Sequence, residues 1–180
     1  MFTPSRTLVL SAVALALFAG GCSGPKEPTK TPEKPAAVTV PESLFLATVP
    51  ADAKDIKATK PTLKKGDKVV LVGRIGGSTK PFATERASFT LADRALKVCG
   101  EDNPDDKCKT PWDYCCEPRN VITANTVTVQ VVDADGKPLK AELNGTKGLK
   151  PMATVTVTGT VASAEGGAVV VNASGMHVKG

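Results

Sequence analysis

The stretches GDKVVLVGRIGG (66–77) and MATVTVTGTV (152–161) decide the fold. In the first, Lys68 to Ile75 is a β-branched run too short for a typical helix. Gly66-Asp67 bounds it on one side and Gly76-Gly77 on the other, so it reads as a buried strand. In the second, Val155, Val157 and Val161 oppose Thr154, Thr156, Thr158 and Thr160, the period-two pattern of a half-buried strand. Ala87 to Asp93 alternates likewise, with Ala87, Phe89 and Leu91 inward, and Thr126 to Val132 follows suit with Val127, Val129 and Val131. Ala168 to Asn172 closes the series after a Gly166-Gly167 turn. No segment after Gly66 shows a helical period, and Leu139 to Leu143 reads at most as one helical turn or a short strand. The sequence predicts an all-β domain with five core strands. Gly73 and Gly159 interrupt two of them, and glycine inside a strand predicts a bend or bulge of the kind a small barrel needs.

The order of these elements resembles an OB-fold. GDKVVLVGRIGG, FTLAD, the middle strand, MATVTVTGTV and AVVVNASGMHV span roughly residues 55–180. The resemblance implies a five-stranded Greek-key barrel. A small β-sandwich is the structural alternative.

Upstream of the strands the chain changes character. Arg6 precedes an apolar run from Leu8 to Ala19, shorter than the ~20 residues that span a bilayer. A basic start, a short apolar run and small residues define an export signal. The ending Ala19-Gly20-Gly21-Cys22 resembles the box of bacterial lipoproteins, with Ala19 where leucine is usual. The resemblance implies that residues 1–21 are removed and that Cys22 is lipidated, anchoring the protein to a membrane. Residues 22–51 then read as a tether. Its alternation of Pro, Lys, Glu and Thr cannot bury an apolar face and favours extended chain. At ~3.1 Å per residue it reaches roughly 90 Å. Ser43 to Val49 is more apolar, and either docks on the domain or belongs to the tether. The domain is assigned to residues 52–180. As a whole, the chain resembles a bacterial lipoprotein with an OB-like domain, and the resemblance implies a cell-envelope location without supplying a function.

The net charge of +5 is unevenly spread. Lys54, Lys57, Lys60, Lys64 and Lys65 stand against only Asp52 and Asp55, whereas the chain from Gly66 onward is nearly neutral. Those lysines read as a solvated approach to the domain. Single-strand binding by OB-folds needs a basic groove and aromatic platforms. The outward positions here are mainly threonine, so nucleic-acid binding is a remote alternative.

The insert CGEDNPDDKCKTPWDYCCEP (99–118) holds the remaining chemistry. It lies within the predicted loop 99–120 and carries Cys99, Cys108, Cys115 and Cys116. In an oxidising compartment two disulfides would order such a loop. A bond between the adjacent Cys115 and Cys116 is disfavoured by ring strain, which leaves two pairings open. The cysteine intervals of eight, six and zero residues do not match zinc-ligand spacing, so no metal ligand and no cofactor are assigned. A metal or thiol-redox centre on these four cysteines is the functional alternative. The acidic residues Glu101, Asp102, Asp105, Asp106, Asp113 and Glu117 read as a solvated acidic loop. Trp112, Asp113 and Tyr114 form the candidate recognition patch, either exposed as contact anchors or packed over the cysteines as a satellite core.

Two smaller signals complete the chain. Asp133-Ala134-Asp135-Gly136 reads as a hairpin turn. His177 has no acid or nucleophile in evident relation to it, and reads as a strand-end residue. No catalytic residue is assigned. The sequence therefore predicts an exported, lipid-anchored, non-catalytic binding or envelope-associated module, with an envelope protein or glycan as its candidate partner.

Overall fold

The computed structural model describes residues 39–101, 105 and 107–180. The signal, Cys22, most of the tether, Asp102 and Asp106 lie outside the described residues. The strands are β1 (Lys54–Asp55), β2 (Lys68–Ile75), β3 (Ser88–Ala92), β4 (Thr126–Gln130), β5 (Thr154–Glu165) and β6 (Ala168–Val178). Two short helices accompany them, α1 (Ile56–Thr59) and α2 (Arg119–Ala124).

The strands form one sheet in the order β1-β2-β3-β4-β6-β5, and β2 also pairs with β5. That last pairing closes β2, β3, β4, β6 and β5 into a five-stranded barrel, with β1 added in parallel outside it. The β4–β6 pair is parallel, with Val129 opposite Val171; the other four barrel pairs are antiparallel. The domain is an all-β, OB-like barrel. Closure rules out the sandwich alternative, because no pair of free sheet edges remains among the five strands.

The alternating valines become the barrel interior. Val127, Val129, Val155, Val157, Val161 and Val171 are buried together with Leu71, Ile75, Phe89, Leu91 and Met176. Phe82 packs its ring against Phe89 with centroids 5.9 Å apart. Burying a side chain of this class contributes about 1.5–3 kcal/mol, so the interior face of each strand specifies its register.

Both strand glycines permit a close backbone approach; at Gly159 a Cβ would stand 2.4 Å from the carbonyl oxygen of Asn172. The β5–β6 ladder shifts register beside Gly159, at Thr158/Gly159, and again at Val161/Ser163. The β2–β5 ladder passes through Gly73 in regular register. There, a Cβ would stand 2.5 Å from the carbonyl oxygen of Ala92. Gly73 therefore permits a close crossing of β3 rather than a bulge.

Four expectations change. The last strand runs to Val178, not Asn172, because β5 is long enough to pair along its whole length. Helix α2 was not anticipated, since six residues are too few to show a period. Residues 139–143 form neither helix nor strand. Thr156, expected outward, is buried.

The segment before Asp52 is partly docked. Phe45 bridges Met176, the Leu46 amide donates to the Met176 carbonyl at 2.7 Å, and Leu44 is buried in the core. His177 Nδ1 lies 3.0 Å from the Leu46 carbonyl and donates to it. Glu42 and Lys147 form an exposed ion pair at 2.9 Å. The apolar residues 44–46 thus belong to the barrel's packing. The Asp133–Gly136 segment is a turn, with the Asp133 carboxylate accepting the Asp135 and Lys137 amides at 2.9 Å each.

Candidate functional site

The cysteine insert leaves the barrel after β3 and returns through α2 to β4. Its exit is set by Asp93, which is buried. Asp93 accepts the Lys57 amide at 2.6 Å and the Ala95 amide at 2.8 Å, joining α1 to the start of the insert. Its return is set by Lys60. The Lys60 ammonium donates to the Thr123 carbonyl at 2.5 Å and the Thr126 carbonyl at 2.7 Å, at the end of α2. Lys60 is 8 % exposed, so it is not one of the solvated approach lysines that the sequence suggests. Burial pushes its pKa down.

Between these ends the insert rests on the barrel through its aromatic residues. Tyr114 is fully buried, in a second cluster with Ala92, Leu96 and Ile122. It adopts a left-handed backbone conformation at φ 55°. A non-glycine residue there is held by its surroundings, here by the packing of its ring. Burial raises the Tyr114 pKa, the nearby Arg74 guanidinium partly offsets this, and Asp93 and Glu101 add to it. The Trp112 carbonyl accepts the Gly77 amide at 2.7 Å, and the Trp112 indole donates to the Thr79 carbonyl at 3.3 Å. At Gly76 a Cβ would stand 2.5 Å from the Trp112 carbonyl oxygen, so only glycine admits the insert at this distance. The candidate patch is corrected accordingly: Tyr114 is a packing anchor and cannot touch a partner, whereas Trp112 and Asp113 stay partly exposed.

This clamp gathers the cysteines. Cys99 Sγ and Cys115 Sγ lie 3.3 Å apart, and Cys108 Sγ lies 3.8 Å from Cys115 Sγ. A disulfide needs about 2.05 Å, and none joins the cysteines here. The structure thus supports their convergence, and not the expected bridges as such. Burial pushes the Cys99 thiol up, but the Cys116 backbone amide and the thiols of Cys115, Cys116 and Cys108 outweigh it by hydrogen bonding, leaving it below its ordinary value. Cys115 is raised, chiefly by hydrogen bonding with the Cys99 thiol and then with Cys108. Cys99 is the buried member and Cys115 the exposed one.

Asp113 completes the group. One of its oxygens accepts the Thr110 hydroxyl at 2.8 Å, and the other accepts the Cys115 amide at 2.9 Å. Ligand atoms of Cys99, Cys108, Asp113 and Cys115 all lie within 4.8 Å of one another. Sequence spacing assigned no metal ligand, but the fold brings these four ligand atoms together. Long intervals exclude a compact zinc knuckle only while the loop stays open. Asp113 was legible as a recognition residue and as part of a solvated acidic loop; the Thr110-x-x-Asp113 turn was the signal that it faces back into the insert.

A cleft of about 440 Å³ opens beside Cys115, lined by Ser78, Thr79, Asp113, Glu117 and Arg119 among others. A larger depression of about 690 Å³ lies at α1. Its carboxylates are already committed, Asp55 to Arg94 at 2.7 Å and Asp93 to backbone amides. The insert cleft is the stronger candidate site.

No protein-family model matches the chain, and no curated protein does so significantly.

Proposed function

We propose that the chain is an exported, non-catalytic binding module of the cell envelope, anchored by lipid at Cys22. The OB-like barrel serves as scaffold and the cysteine insert as working end. One observation carries this: the insert is clamped to the barrel at Gly77, Thr79 and the Tyr114 cluster, and presents a cleft edged by Asp113, Cys115 and Arg119. A loop held at both ends and along its middle can present a fixed surface without a large ordering cost on binding. The lipoprotein box and the tether composition support the envelope location. Outward Thr128, Thr158 and Thr160 supply neither cation nor aromatic ring, so the nucleic-acid alternative gains no support from these strands.

Two measurements test the reading. Fractionation should find the protein with membranes and a Cys22→Ser variant released from them; equal release of both chains refutes the anchor. Envelope components retained by the immobilised full chain should be lost with Trp112→Ala and Arg119→Glu but kept with Lys137→Glu, which lies in the Asp133 turn and does not line the cleft. Retention that ignores the insert variants refutes the insert as the working end.

A further inference from the structure

We propose that the insert binds a single thiophilic d10 cation, zinc(II) or copper(I), through Cys99, Cys108 and Cys115, with the Asp113 carboxylate at the fourth position. The proposal deepens the reading of the insert as the working end and rests on it for location only; it is independent of the anchor.

The argument is geometric. Tetrahedral thiolates about 2.3 Å from a zinc ion stand ~3.8 Å from one another. Cys108 and Cys115 are 3.8 Å apart, and Cys99 and Cys115 are 3.3 Å apart. Cys99 and Cys115 would part by about half an ångström to admit an ion, and the ligand atoms of all four residues already lie within 4.8 Å of one another. The sulfurs come from three separate parts of the insert: the end of the β3 exit, the middle of the loop, and the residue after Tyr114. Only a folded insert brings them together. Soft sulfur donors select soft or borderline ions over magnesium and calcium, so the acidic surroundings do not redirect the choice.

The surroundings also supply the outer shell such sites use. Thr110 donates to the oxygen of Asp113 that does not hold Cys115, and Asp113 in turn fixes the Cys115 backbone. The Cys116 amide donates to the Cys99 sulfur. Partners of this kind orient ligands and typically influence metal affinity by about 10–100-fold. Cys99 is buried and Cys115 exposed, so the ion would sit at the surface, bordered by the cleft that contains Arg119. Binding involves no redox change: each thiol that enters coordination releases its proton to solvent, and the metal–sulfur bond replaces the sulfur–hydrogen bond.

The test uses the full chain purified under reductant without added metal. It is titrated in separate arms with zinc(II) and with copper(I) against a chromophoric competitor, while the thiols are counted by alkylation and mass spectrometry. One ion should bind per chain and protect Cys99, Cys108 and Cys115 from alkylation, the tighter arm identifying the ion. Cys108→Ser and Cys115→Ser should each weaken binding by about 100-fold or more, and Thr110→Val by about 10-fold. If a serine variant fails to fold, protection in the unsubstituted chain still decides the matter. The proposal is overturned if the reduced chain binds neither ion more tightly than a variant with all four insert cysteines replaced by serine. It is equally overturned if bound metal leaves the three thiols open to alkylation. Either failure leaves the envelope reading intact, because fractionation and retention of envelope components report on it separately.

Discussion

The barrel and the insert are stabilised by different means. In the barrel, continuous backbone ladders join neighbouring strands, and each inward valine or phenylalanine adds to one shared core. Removing one side chain leaves the ladders in place. Among its described residues the insert has no strand, with a 3-10 turn at Pro111–Asp113 and α2 starting at Arg119. It is held by individual contacts: one buried tyrosine, one aspartate bridging Thr110 to Cys115, and one tryptophan carbonyl against Gly77. A region built by pattern tolerates local change, whereas one built by single contacts puts unusual chemistry at a chosen place but depends on each contact.

The contrast breaks most visibly at the two large buried aromatics. Phe89→Ala should lower global stability by about 3–5 kcal/mol, shifting the whole denaturation curve, since Phe89 sits in the shared core. Tyr114→Ala should cost a similar amount within the insert alone. Hydrogen exchange would show lost protection around residues 93–118 with the β2–β6 ladders still protected. Global unfolding of the tyrosine variant would mean that the two regions form one cooperative unit.

A smaller effect is expected at the hinge between them. Lys60→Met keeps the aliphatic stem but leaves the Thr123 and Thr126 carbonyls without their donor. The cost should be about 1–3 kcal/mol, read by chemical denaturation, with the loss of protection greatest at α2. A neutral outcome would show that those carbonyls find water.

The smallest effect concerns the docked segment 42–46. Hydrogen bonding and charge from Lys147 lower the Glu42 pKa. A carboxyl with a depressed folded pKa stabilises the folded state above its unfolded value and loses that contribution as pH falls through the folded one. Acidification into and below the ordinary carboxylate range should therefore loosen the segment slightly, seen as faster exchange at the Leu46 amide. Both partners are exposed, so the change is small. Lys147→Ala should abolish the pH dependence; a persistent dependence would place its origin elsewhere.

The strands were readable because a half-buried strand imposes period two on its residues. Val127, Val129, Val155, Val157 and Val161 each met that demand and each is buried. The same rule misplaced Thr156, whose outward-type position is nevertheless covered. Sequence grouped the cysteines in one loop, but spacing along an irregular loop says little about distance through space. The burial of Tyr114 was likewise illegible, because a lone aromatic between charged and cysteine residues carries no period.

By itself, the sequence determined an all-β domain, its five core strands, the uneven charge and the existence of a cysteine-bearing insert between two strands. All of these follow from local composition or from a repeating hydrophobic pattern. Only the tertiary structure decided that residues 44–46 pack on β6, that Gly73 serves a close crossing, and that Cys99, Cys108, Asp113 and Cys115 converge. Each of these depends on contacts between residues far apart in the chain or across an aperiodic loop.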